Sequence, residues 1–260
     1  MISISKLVFA AILLLVPLSL AAQQKETANL FAIGHARTLD TYLSPEHYSG
    51  VEARFIRQVS WLREGKHWAR QLTSQGFLTY TDTRSKDAKE IGGMYNFRFS
   101  WQRKFRSVAL GSGTLDVRAG AGPEAYVGFL YNDRNGNNPA QARLAGRLTP
   151  ELDLSYRFQF AHKPQTVRWN VAFPLLGLQF SPNYGQSYYE IFTRDNYDHN
   201  VCLTWLGNAP TLTHRLTWSI PLRRTVLTVG YLGDYQQVKV NSLKYLSFTH
   251  AFVIGWTIGK

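Results

Sequence analysis

The stretch YNFRFSWQ, Tyr95–Gln102, alternates aromatic and polar residues at every step. Tyr95, Phe97, Phe99 and Trp101 fall on one side, and Asn96, Arg98, Ser100 and Gln102 on the other. An extended chain sends successive side chains to opposite faces, so period-two alternation predicts a strand with two chemically distinct faces. LDLSYRFQF (Leu152–Phe160) repeats the pattern, setting Asp153, Ser155, Arg157 and Gln159 against leucine and aromatic residues. VRWNVAF (Val167–Phe173), LTHRLTWSI (Leu212–Ile220) and LSFTHAFVIGWTI (Leu246–Ile258) follow suit.

Turn-forming clusters separate these runs: REGK near Gly65, RSKDAKE near Asp87, DRNGNNP from Asp133, SPNYG from Ser181, GNAP near Pro210 and PLRR near Arg223. Strand centres are expected near residues 34, 56, 73, 98, 117, 128, 156, 171, 190, 203, 216, 229 and 252. One early segment splits or merges, and an even count of about 12 strands suits closure of a barrel.

Where the apolar face points decides the class. A β-sandwich or a lipocalin-type barrel would turn it inward, into a layer about 10 Å thick. Aromatic residues make up 14% of this chain against 18% charged, with rings in nearly every strand. A soluble interior has little room for them, whereas a lipid-facing wall has no such limit and favours aromatics at its rims. The expected fold is all-β: a single transmembrane antiparallel β-barrel.

Residues 1–22 read as a cleaved signal peptide. Lys6 precedes the uncharged run LVFAAILLLVPLSL, and Ser19, Ala21 and Ala22 supply small residues for cleavage. The run is shorter than the roughly 20 residues that span a bilayer. Residues 23–260 form the barrel domain, with QQKETAN (Gln23–Asn29) expected as a short periplasmic lead. The lone Cys202 gives no disulfide framework. The net charge of +12 would suit nucleic acid, but export points instead to anionic outer-membrane lipid and lipopolysaccharide. The barrel-assembly machinery is the other expected partner, and a monomer the expected state.

The polar face carries Arg98, Arg118, Arg157, Arg168 and Arg215 with Asp116, Asp153 and Asp234, an apparent surplus of two positive charges. Such a lumen either conducts anions or is plugged by its own ion pairs. A barrel of this size favours the plug, with surplus arginine near a mouth. Substitutions on the polar face, such as Asn96→Arg, are expected to cost little.

A lipid hydrolase is the enzymatic alternative, and a soluble exported binding protein the third reading. His250 and His214 lie on apolar faces, but no serine shares their phase, as a nucleophile would have to. Asp133, Asn135 and Asn137 alternate like the start of a calcium loop, yet Asn138 and Leu144 stand where glycine and glutamate are needed. No cofactor and no metal site is expected, and no catalytic residue is assigned. FPLLGLQFSPNYGQSYYEIF (Phe173–Phe192) breaks the alternation and reads as a strand end, a bulge and a tight hairpin, or as a constriction folded inward.

NVAFPLLGLQFSPNYGQSYYEIF and LTVGYLGDYQQVKVNSLKYLSFTHAFVIGW resemble an uncharacterised family of Bacteroidota outer-membrane proteins (domain of unknown function 3316), over about the last hundred residues. The resemblance implies an outer membrane in a Gram-negative cell and brings no functional residue with it. The terminal WTIGK departs from the aromatic last residue common in such barrels. An envelope structural protein or a narrow pore is the expected function.

Overall fold

The computed structural model describes residues 23–63, 67–223 and 225–259. The expected signal peptide and the turn at Gly65 lie outside them. Twelve antiparallel strands form one sheet: β1 (Gln23–Asp40), β2 (Tyr48–Arg63), β3 (Trp68–Asp82), β4 (Lys89–Leu110), β5 (Gly113–Asn132), β6 (Ala140–Phe160), β7 (Lys163–Ala172), β8 (Leu176–Phe180), β9 (Val201–Trp205), β10 (Thr211–Pro221), β11 (Val226–Val240) and β12 (Leu243–Gly259). A short helix, α1 (Tyr188–Thr193), lies between β8 and β9.

Ten of these strands close the barrel, in the order β5-β4-β3-β2-β1-β12-β11-β10-β7-β6 with β5 paired to β6. The seam between the first and last strands runs from Glu26↔Gly259 to Asp40↔Tyr245. Gln23–Asn29 belongs to β1 and is not a free lead, because its backbone pairs with β2 along its whole length.

The expected centres at 117 and 128 belong to one strand, β5. The glycines of AGAGP look like a break, but they mark a close approach. A Cβ at Gly120 or Gly122 would run into the backbone carbonyl of Trp101 or Phe99 on β4. The expected strand near 190 is α1, capped by Ser187: its hydroxyl accepts from Glu190 N–H, and the Glu190 carboxylate accepts from Ser187 N–H.

Closure therefore takes ten strands, and β8 and β9 lie outside it. Pro174 marks a bulge where β7 gives way to β8. Glu151 of β6 faces Ala172, but Leu148 faces Leu176, so one extra residue sits in the β7–β8 run. Phe173 and Leu175 still donate to the carbonyls of Pro150 and Leu148, while Pro174 has no N–H to give. Beyond this bulge β8 pairs with β6 from Leu148↔Leu176 to Ala145↔Gln179, and on its other edge with β9. The connection that follows, residues 181–200, is a capping segment, not a tight hairpin.

The alternation separates the faces as expected. Phe31, Ile33, Leu78, Tyr95, Phe97, Phe129, Phe252 and Ile254 are exposed outside, whereas Gln75, Asn96, Arg98, Ser100, Gln102 and Thr249 are buried inside. Trp68, Trp101, Trp218 and Trp256 stand on the outer face toward the end holding both chain termini, and Tyr80 and Tyr131 toward the opposite end. Such girdles suit the two rims of a bilayer. Turns at the terminus end are short, as at Gly111–Ser112 and Ala161–His162. The opposite end carries longer connections over residues 41–47, 83–88, 133–139 and 181–200.

The tolerance expected for Asn96→Arg does not survive this packing. Asn96 is buried, donates to Glu124 and accepts from Gln75, so the inner face is as crowded as the outer face is apolar. Phe97→Arg should cost about 2–4 kcal/mol if its site lies near a bilayer midplane. Asn96→Arg should also destabilise, by overpacking, by about 1–3 kcal/mol. Denaturant titration of protein refolded into lipid vesicles checks both. A neutral Asn96→Arg would contradict a filled lumen.

Candidate functional site: the lumen and its mouth

The chemistry of this molecule is concentrated inside the barrel. Arg54 lies between two acids: its Nε is 2.7 Å from Glu52 and its Nη2 is 2.8 Å from Asp234 on β11, three strands round the wall. Its guanidinium also stacks 4.2 Å over the Phe77 ring. Arg98 Nε is 2.5 Å from Glu151, and Glu151 accepts from Ser100 and Gln102. These groups are almost fully buried. A charge so placed is tolerable only when paired and fully hydrogen-bonded.

Several contacts cross the lumen and tie opposite walls together. Arg143 of β6 reaches Asp40 of β1 at 3.3 Å and packs over the Tyr245 ring. Thr38 of β1 donates to Glu90 of β4 at 2.6 Å. Thr249 of β12 donates to Glu52 of β2 at 2.7 Å, reaching only over β1 between them. Arg168 of β7 donates to Gln71 of β3, and Arg215 of β10 to Gln58 of β2. Toward the loop end, Phe77, Met94, Tyr126, Leu130, Val238 and Tyr245 form an apolar layer with Leu43 inserted from the β1–β2 loop. The space left around Asp40, Arg143 and Tyr245 is about 10 Å³, too little for a solute.

The loop end is also covered. Tyr188 on α1 accepts from Ala142 N–H and donates to Gln141, and Tyr42 donates to the Gln186 carbonyl. Asn241, in the β11–β12 turn, donates to the carbonyls of Ser181 and His199. Burial pushes the Tyr188 hydroxyl up to about 12, so it stays a neutral donor. Backbone and hydroxyl bonds from Ser187 hold the Glu190 carboxyl below its usual range and so favour the charged cap.

The terminus end is different. A cavity of about 470 Å³ opens there, lined by Arg118, Arg157, Arg168 and Arg215 with Glu26 and Asp116. Asp116 takes Lys104 at 2.9 Å and Arg157 at 2.6 Å, and Asp153 takes Arg168 at 2.5 Å. Of the eight residues singled out in the sequence, Asp116, Arg118, Arg157, Arg168 and Arg215 line this cavity, Asp153 pairs with Arg168 beside it, and Arg98 and Asp234 are buried farther in. They divide into a central belt holding Arg98 and Asp234, and a mouth holding the other six.

The surplus of two positive charges is corrected. The alternating runs missed Arg54, Lys104, Arg143 and Arg147 and, on the acidic side, Glu26, Asp40, Glu52, Glu90, Glu124 and Glu151. With these included the interior carries as many acids as bases. Local excess remains at the mouth.

On the outer wall His250 meets the hydroxyls of Tyr231 and Tyr235, and the His214 ring packs against the same tyrosines. Ser247 and Thr249 are buried on the inner face, away from it. In the 133–139 loop, Asn135 accepts from the N–H groups of Asn137 and Asn138, and its amide donates to the Leu43 carbonyl. It acts as a turn former. Among the described residues no cluster of metal-ligating side chains occurs.

A closed antiparallel barrel with an aromatic outer wall and a charged interior is the architecture of outer-membrane proteins. The chain belongs to the family described as "Protein of unknown function (DUF3316)", whose model matches residues 11–258, nearly the whole chain and not only its last hundred residues. The outer-membrane protease OmpT from Escherichia coli is similar in fold, with 7% identity and a TM-score of 0.51, covering 94% of this chain and 99% of that one. The transport unit of the autotransporter AIDA-I from Escherichia coli aligns with a TM-score of 0.48 and 7% identity over 97% and 95% of the two chains. The translocator domain of the autotransporter NalP from Neisseria meningitidis aligns with 0.39 and 10% over 98% and 93%. No curated protein matches the sequence.

Removing the base from the central belt should expose its importance. Arg54→Ala leaves Glu52 and Asp234 buried without their cation and should cost about 3–5 kcal/mol. Arg157 is 58% exposed, so Arg157→Ala should cost at most about 1 kcal/mol. Equilibrium unfolding of both variants in detergent micelles measures the difference. Equal small losses would contradict a desolvated belt.

Proposed function

We propose that this protein is a closed barrel of the outer membrane, an envelope structural protein and not an open pore. The observation that carries this reading is the set of side-chain bonds across the lumen, above all Arg143–Asp40 between opposite strands, with Arg54–Asp234 between strands three apart in the ring. A conducting lumen needs a continuous hydrated path, and these bonds cross it.

In this reading residues 1–22 direct export and are removed, and residues 23–260 insert as one monomeric domain in a Gram-negative, Bacteroidota-type envelope. The barrel-assembly machinery performs the insertion. The aromatic outer wall meets outer-membrane lipid and lipopolysaccharide. Short turns and both termini face the periplasm, and the capped end faces outward, as is usual for such barrels.

Planar-bilayer recording of the refolded protein tests the closed lumen. No steady conductance is expected from the native protein. A variant with Arg54→Ala and Arg143→Ala together should show leak events if it still folds. A stable conductance in the native protein would replace this reading with a channel.

A further inference from the structure

The mouth cavity holds more guanidinium than its own acids engage. Asp116 and Asp153 are committed to Lys104, Arg157 and Arg168. Arg118 and Arg215 line the same cavity, and neither has a carboxylate within ion-pair distance among the described residues. Arg215 donates only to the side-chain oxygen of Gln58. Glu26 lies on the cavity wall and offsets part of this excess.

From this geometry we infer that the mouth cavity binds a small hydroxylated phosphate monoester, held through Arg118 and Arg215. Three observations converge. First, two partly buried guanidinium groups without acid partners need an anion or water, and the planar fork of arginine matches an oxyanion in bidentate fashion. Second, such a pair calls for a doubly charged group. A phosphate monoester carries about −1.5 to −2 near neutral pH, whereas a carboxylate carries about −1. Third, the remaining wall is rich in hydroxyls, from Ser60, Thr166, Ser219 and Thr228, which suit a hydroxylated carrier. A volume of about 470 Å³ lies within the range of roughly 300–1,000 Å³ typical of small-molecule sites. The site is blind, because the charged belt closes it on the inner side, so the solute is bound and not passed through.

The test is calorimetric titration of the full refolded protein in detergent near 0.15 M ionic strength, with glucose 6-phosphate as the probe and glucose as the control. Saturable one-to-one binding of glucose 6-phosphate, and none of glucose, is expected. Arg118→Gln and Arg215→Gln should each weaken binding about tenfold or more. Arg215→Lys, which keeps the charge and loses the fork, should fall between native and glutamine. Arg57→Gln, exposed on the outer face, should bind like the native protein. Heat-dependent gel mobility verifies that each variant is folded. Absence of saturable binding by the native protein would overturn the proposal, as would unchanged affinity in both glutamine variants. An open lumen would show as conductance in a bilayer, so failure of the closed-barrel reading is scored separately.

Discussion

Closure of the hydrogen-bond ladder is the constraint on which everything else in this molecule rests. In hydrocarbon no water can satisfy a free N–H or C=O, so a spanning sheet must have no edge. Here the first strand meets the last from Glu26↔Gly259 to Asp40↔Tyr245, and β5 meets β6 on the far side. Pro174 cannot donate to such a ladder, and a one-residue bulge takes it in while Phe173 and Leu175 keep their bonds to β6.

Ten strands enclose a narrow interior, and long side chains fill it. Arginine and glutamate entering from opposite walls cannot avoid one another, so the plug follows from the circumference. Pairing is then obligatory, because an isolated ion in such a place would be far more costly than any exposed pair. The belt of Arg54, Glu52 and Asp234 and that of Arg98 and Glu151 meet this demand with ion pairs and hydrogen bonds from serine, threonine and glutamine. Such belts cost much to break, yet well-packed apolar side chains of the same volume stabilise a protein interior as well or better. Their value lies in fixing which walls face each other.

The strands were legible wherever alternation was strict, as in Tyr95–Gln102 and Leu152–Phe160, because period two is a property of one strand alone. The inner arginines and aspartates in those runs could be phased for the same reason. Glu52 and Arg54 were missed because GVEARFIRQ mixes charged residues onto both faces, with Arg57 outside. Gly120 and Gly122 hid the continuity of β5, since close strand approach and a turn ask for the same residue. The partners of Arg54 and Arg143 were out of reach of any strand-by-strand reading. Which residues meet across a lumen depends on strand number and stagger, and those are fixed only on closure. The capping segment escaped too: α1 is a single turn and a half, held by Ser187 and by contacts from Tyr42 and Asn241 far away in sequence.

The central claim is that solvent enters the barrel from the terminus end only as far as the charged belt. Thiol labelling measures this directly. In a Cys202→Ser background, single cysteines at Ser219, on the mouth cavity, and at Thr249, beside Glu52 in the belt, are exposed to a charged, membrane-impermeant reagent. Rapid labelling of Ser219→Cys is expected, and protection of Thr249→Cys until the protein is unfolded by heat. Labelling of Thr249→Cys in the folded barrel at a rate close to that of Ser219→Cys would contradict it.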